Sequence, residues 1–204
     1  DGHGLRLNYS NPVIASCNFD NNSESGLFLN NSSPTCTDCV MNGNEYSGIY
    51  YATANSNANL VGVTVSNNLY RLFSNTPDRS FTFDESIIEF NDNGSDIAIA
   101  AGRIASNQTA NYYSNGYAIL GNVEIYGGAP KLTIAPNSTI KVQSGSSIYV
   151  GGNNVTGGML YAVGTASAPI TFTSLNGEAG GWNGLNFRDG SDYNSASSLR
   201  YCIV

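Results

Sequence analysis

Four cysteines are the first residues with chemistry to offer: Cys17, Cys36, Cys39 and Cys202. Cys36 and Cys39 have the C-x-x-C spacing of a metal knuckle or a redox dithiol, but a zinc site needs two further ligands nearby. His3 is the single histidine, so no His-based triad can form, and it reads as an ordinary surface residue. Acidic residues gather in "FDESIIEFNDNGSD", which holds Asp84, Glu85, Glu89, Asp92 and Asp96. Glycoside hydrolysis needs two carboxylates about 5–9.5 Å apart, whereas adjacent Asp84 and Glu85 point to opposite faces of a strand. Asp92, Asn93 and Asp96, and later Asp189 and Asp192 in "DGSD", have the oxygen-rich composition of short Ca²⁺ loops. Asn, Asp, Gly and Ser are equally the residues of turns, and the turn reading is preferred. No catalytic residue and no cofactor is assigned, with calcium the weak candidate. Tyr112, Tyr113 and Tyr117, if exposed, could stack on sugars, although Tyr also suits strand positions. Asn-x-Ser/Thr triplets at Asn8, Asn31, Asn107, Asn137 and Asn154 are expected by chance in a chain this rich in Asn, Ser and Thr.

Composition limits the partners. Of 204 residues only 11% are charged, against a usual share of about 25%, while 41% are hydrophobic. A net charge of -7 without any basic patch excludes nucleic acid as a partner. No run of about 18 apolar residues exists to insert into a membrane. Few Lys and many Asn on a weakly charged surface point to an extracellular or cell-surface protein.

The elements that carry these residues come from a repeat. "GLRLNYSNPVIASCNFDNNSES" from Gly4 and "GLFLNNSSPTCTDCVMNGNEYS" from Gly26 are both 22 residues long and align without a gap. Gly4 matches Gly26, Leu5 matches Leu27, Pro12 matches Pro34, Cys17 matches Cys39 and Phe19 matches Met41. A third turn starts at Gly48 and gains a residue or two, so that Val63 and Val65 take the Cys and Phe places. A fourth starts at Arg71, with Leu72 and Phe73 in its Leu-x-Leu position. Each unit holds short β runs between Asn, Ser and Gly clusters and shows no helical period. A unit this small buries its apolar face only by stacking on the next, about 4.8 Å away. The fold class is therefore all-β, a parallel β-helix (solenoid) with coils of about 22 residues. In such a stack Cys17 and Cys39 form one inward ladder, as a stacked pair or a disulfide.

The second half resembles a known family. "YAILGNVEIYGGAPKLTIAPNSTIKVQSGSSIYVGG", "GGMLYAVGTASAPITFTS", "GGWNGLNF" and "SSLRYCIV" are similar to coils of right-handed parallel β-helix (pectate-lyase-like) domains in bacterial and archaeal secreted and cell-surface proteins. The matching residues are Leu132 to Pro136, Gly158 to Thr165, Pro169 to Ser174 and Trp182 to Leu185. The resemblance implies a right-handed helix and gives Trp182 a packing role at the start of a coil. It also implies an order. Residues 1–102 carry coils of the family's C-terminal type and residues 103–204 coils of its N-terminal type. Together they are expected to form one continuous solenoid, a circularly permuted repeat unit.

The last stretch fits the first. In "SSLRYCIV", Leu199 aligns with Ile14 and Cys36, Cys202 with Cys17 and Cys39, and Val204 with Phe19 and Met41. The leading expectation is an extracellular structural protein that forms a filament by head-to-tail stacking on copies of itself. Its contacts would use Leu5, Leu7, Cys17 and Phe19 against Leu199, Tyr201, Cys202 and Val204. The alternatives are a cell-surface adhesin or carbohydrate-binding module that takes a polysaccharide, and a polysaccharide lyase or hydrolase. The lack of a convincing acid constellation counts against the enzyme.

Overall fold

The computed structural model describes residues 2–76, 88–89, 96–152, 157–188 and 197–204. Strands are the only regular elements among them, and no helix is present that could cross a membrane. The described residues fall into two compact units, one running through Ala98 and the other from Ile99 onward.

The first unit contains β1 (Leu5–Asn8), β2 (Val13–Ala15), β3 (Leu27–Asn30), β4 (Thr35–Thr37), β5 (Val40–Asn42), β6 (Ser47–Tyr51), β7 (Asn59–Val61), β8 (Val63–Ser66), β9 (Tyr70–Ser74) and β10 (Ile88–Glu89). They form three parallel ladders, β1-β3-β6-β9, β2-β4-β7 and β5-β8-β10. Leu5 pairs with Leu27, Leu27 with Ile49, and Ile49 with Leu72. Ile14 pairs with Cys36 and Cys36 with Leu60. Met41 pairs with Val65, which gives Val65 the place that the repeat assigned to it. Side chains alternate across a strand, so like residues stack inward: Leu27, Leu29, Cys36, Met41, Ile49 and Leu72 are all fully buried. Each such side chain contributes about 1.5–3 kcal/mol. The fourth turn begins at Arg71 as expected, but Phe73 pairs with Tyr50 and stands at the outward position, while Ser74 takes the second inward one. Period-two alternation from Leu72 dictates this.

The corners explain the Asn-rich sequence. Ser16, Asp38 and Gly62 occupy equivalent places at φ of 52, 50 and 60°, and Asn21, Gly43 and Asn67 do so at 55, 68 and 53°. This left-handed backbone turns one strand sharply into the next, and Asn, Asp and Gly adopt it most cheaply. Beneath the second corner runs an asparagine ladder. Asn44 Oδ1 accepts from the Asn22 backbone N–H and from Asn22 Nδ2. Asn44 in turn donates from both its backbone N–H and Nδ2 to Asn68 Oδ1. Asn44 Nδ2 also donates to the Phe19 carbonyl, and Asn68 Nδ2 to the Met41 carbonyl. The Gly4, Gly26 and Gly48 row starts each turn because there is no room for a Cβ: one added to Gly48 would meet Val65 Cγ1 and the Arg71 carbonyl.

The second unit contains β11 (Ile97–Ile104), which begins at the boundary, then β12 (Gln108–Ala110), β13 (Tyr117–Ile125), β14 (Lys131–Ile134), β15 (Thr139–Val142), β16 (Ile148–Val150), β17 (Met159–Val163), β18 (Ile170–Ser174), β19 (Leu185–Phe187), β20 (Ser198–Arg200) and β21 (Cys202–Ile203). These strands are also parallel, in the runs β13-β15-β18-β21, β13-β16-β19 and β12-β14-β17-β20. The nine-residue β13 serves two faces: Tyr117–Ile119 pairs with β15 and Val123–Ile125 with β16. Gly121 lies between those segments at φ 141°. Ile125, Ile134, Ile140, Val150, Leu160 and Phe172 fill the interior.

Candidate functional site

The strict register of the first unit places Arg6, Phe28, Tyr50 and Phe73 in one outward row. Ahead of that row lies the corner segment of each turn. The Glu24 N–H donates to the Gly2 carbonyl, the Tyr46 N–H to that of Glu24, and the Tyr70 N–H to that of Tyr46. His3, Glu24, Glu45 and Tyr46 are thereby carried to the side of the aromatic row.

The rings form a continuous stack. Phe28 lies 5.0 Å from Tyr50 at an interplanar angle of 24°, and Tyr50 lies 4.6 Å from Phe73 at 33°. His3 stacks on Phe28 at 4.6 Å, and Tyr46 meets Tyr50 at 6.0 Å and Phe73 at 5.0 Å. Each such pair contributes about 0.5–1.5 kcal/mol beyond burial. Between stack and corner lies a cavity of about 500 Å³, lined by His3, Ser23, Glu24, Phe28, Glu45, Tyr46 and Tyr50. That volume is in the range of a small-ligand site.

His3 corrects the expectation of an ordinary surface residue. Its side chain is only 8% exposed, and its Nδ1 accepts from the Ser25 backbone N–H at 3.2 Å. The proton therefore sits on Nε2, which donates to Glu24 Oε2 at 2.8 Å. Burial lowers the His3 pKa, Arg6 adds to that, and Glu24 opposes it without reversing the shift. The imidazole is thus held neutral. Burial likewise raises the Tyr46 phenol, with Tyr50 and Tyr70 adding to the effect. Tyr50 is raised by burial and by Glu24. Both phenols stay as O–H groups. The cavity therefore offers ring faces, neutral hydroxyls and two carboxylates, a set suited to holding a polyhydroxylated ring.

The other expected site residues lie elsewhere. Tyr113 and Tyr117 are buried, in edge contact at 5.2 Å, and the Tyr117 hydroxyl donates to the Asn111 carbonyl. They cannot stack on an external sugar, and of the three expected tyrosines only Tyr112 is exposed. Asp92, Asn93, Asp189 and Asp192 lie outside the described residues, as do Asp84 and Glu85, and Asp96 is half-buried. No group of three His, Cys, Asp or Glu able to hold a metal occurs among the described residues. Cys36 and Cys39 are buried, and all four cysteines are free thiols, so the Cys17–Cys39 disulfide is not formed here. Burial pushes the Cys36 thiol up to about 12, with Cys39 and Cys17 adding to the effect, which removes it as a nucleophile.

For self-association, Leu7 is buried, Leu5, Cys17, Phe19 and Cys202 are half-buried, and Leu199, Tyr201 and Val204 are exposed. The aligned corners share a geometry. Tyr201 at φ 50° separates β20 from β21 as Asp38 separates β4 from β5. Cys202 Sγ donates to the carbonyls of Arg200 and Ala162, and Cys39 Sγ to those of Thr37 and Ile14. Ala162 is the ladder partner of Leu199, as Ile14 is of Cys36. Trp182 is half-buried just ahead of β19.

The aromatic row was hidden because Phe28, Tyr50 and Phe73 stand at the variable position of each Leu-x-Leu run. Its signal is that an aromatic fills that position three turns in succession.

Residues 1–70 match the family described as right handed beta helix region. Parallel ladders run through both units, so the fold is that of a parallel β-solenoid, and the stretch matched by the family model lies in the first unit. No curated protein and no solved structure matches it.

Proposed function

We propose that the chain is a carbohydrate-binding β-helix module of an extracellular or cell-surface protein, binding glycan on the outer face of its first unit. The observation that supports this is the stacked, half-buried pair of Phe28 and Tyr50 lining a cavity edged by Glu24 and Glu45. Sugar rings have apolar C–H faces that lie on aromatic rings, and carboxylates accept their hydroxyl hydrogens. The role is binding rather than turnover. A fibre of stacked copies would repeat this face along its length, so self-association is compatible with the role. Calorimetric titration with neutral oligosaccharides of four to six sugars tests it. Wild-type protein should bind at least one series, and Tyr50→Ala should lose about tenfold in affinity, the scale of one stacking contact. If no series binds, or if Tyr50→Ala binds as wild type does, the proposal is wrong.

A further inference from the structure

We infer that the cavity selects sugars carrying a free, protonated amine, a step that rests on the carbohydrate-binding reading. The charged residues lining the cavity are Glu24 and Glu45, both exposed. The Glu45 carboxylate has no hydrogen-bond or ionic partner among the described residues. Its third titratable residue of interest, His3, brings no positive charge, because the Ser25 N–H occupies Nδ1 and would oppose a proton there. The same cavity is lined by the rings of Phe28, Tyr46 and Tyr50, and aromatic π faces attract cations. The row already holds one cation in this way: the Arg6 guanidinium lies 4.7 Å from the Phe28 centroid. Arg6 belongs to the row and not to the cavity lining, so the position facing Glu45 is left for a cation from the ligand.

An ammonium on a hexosamine meets both demands, since the ring stacks while its amine reaches the carboxylate. An N-acetylated sugar keeps the stacking and loses the charge. A polyuronate meets two like charges and is disfavoured. A net charge of -7 on the whole chain favours a cationic polymer in the same direction.

Titrations with the glucosamine tetramer, the N-acetylglucosamine tetramer and tetragalacturonate, at about pH 6 where sugar amines are charged, decide the matter. The glucosamine tetramer should bind about tenfold tighter than its acetylated form, with a preference that shrinks as salt rises. Glu45→Gln should bring the two affinities close to parity, because it weakens the glucosamine tetramer far more than the acetylated one. Glu45 is exposed, and circular dichroism together with the denaturation midpoint verifies that the variant is folded. Equal affinity for both tetramers in the wild type, or preference for the uronide, overturns the amine inference and leaves carbohydrate binding standing. Binding of none of these, nor of any neutral series, overturns both.

Discussion

The two units obey one rule of assembly and differ in how they turn their corners. In the first, single left-handed residues recur at equivalent places, and the asparagine ladder through Asn22, Asn44 and Asn68 ties successive turns together. In the second, β13 passes from one face to the next as a single strand with Gly121 between its paired segments, and asparagine contacts are single steps. Asn107 Oδ1 accepts only from the Lys131 N–H, and Asn122 Oδ1 from the Ser147 N–H. The first unit leaves Phe28 and Tyr50 of its aromatic row half-buried and covers Phe73, while the second buries Tyr113 and Tyr117. An inward row is apolar at most turns, because stacking is what buries it, and Ser74 is the small polar exception in the first unit. Corners and outward rows are constrained less, and there the two units diverge.

The core is where they should behave alike. Phe172 in the second unit and Leu29 in the first are both essentially fully buried. Phe172→Ala should cost about 3–5 kcal/mol and Leu29→Ala about 2–5 kcal/mol in chemical denaturation. A cost under about 1 kcal/mol for either would show that its unit is not held by inward stacking, and the comparison would break there.

Corner substitutions should separate the units. Asn44→Ala strands the Phe19 carbonyl and the Asn22 N–H inside a buried ladder, which should cost about 2–4 kcal/mol. Asn107→Ala removes one bond from an exposed side chain and should cost about 0.5–1 kcal/mol. Amide exchange should accelerate at Asn22 and Asn44 in the first variant. Equal costs for the two substitutions would mean that the ladder adds nothing to an ordinary surface contact.

How much of this was legible follows from the same distinction. Gly4, Gly26 and Gly48 with their Leu-x-Leu runs disclose the register because burial forces the same choice at each turn. The corner alignment of Cys202 with Cys39 was legible for a similar reason: one left-handed residue followed by a small thiol fits a tight bend. Phe28, Tyr50 and Phe73 were not legible as a site, since outward positions answer to no periodic demand. His3 was misread because its burial depends on Phe28 and Ser25, one turn later in the chain. Tyr113 and Tyr117 sit in "NYYSNGY", which lacks the alternation that would reveal which ring points inward.

The smallest expected effect is confined to the first unit, because His3 is the single histidine of the chain. Burial, helped by Arg6, lowers its proton affinity in the folded state despite the pull of Glu24. An unfolded histidine titrates near about 6.5. As pH falls below that value the unfolded chain takes up the proton first, so the folded state loses stability until pH passes below the lowered folded value. Above about 6.5 the contribution is complete and the slope vanishes. A proton on Nδ1 also turns the hydrogen bond from Ser25 into a clash of two donors. Denaturation midpoints of the wild type should therefore fall between about pH 7 and pH 5, and His3→Gln should flatten that part of the curve. Every other ionisable group is common to both proteins, so the difference between the two curves isolates His3. Parallel curves would mean that His3 is as free as an exposed histidine. A midpoint that rises as pH falls would mean that Glu24 outweighs burial and that the cavity carries a charged imidazolium after all.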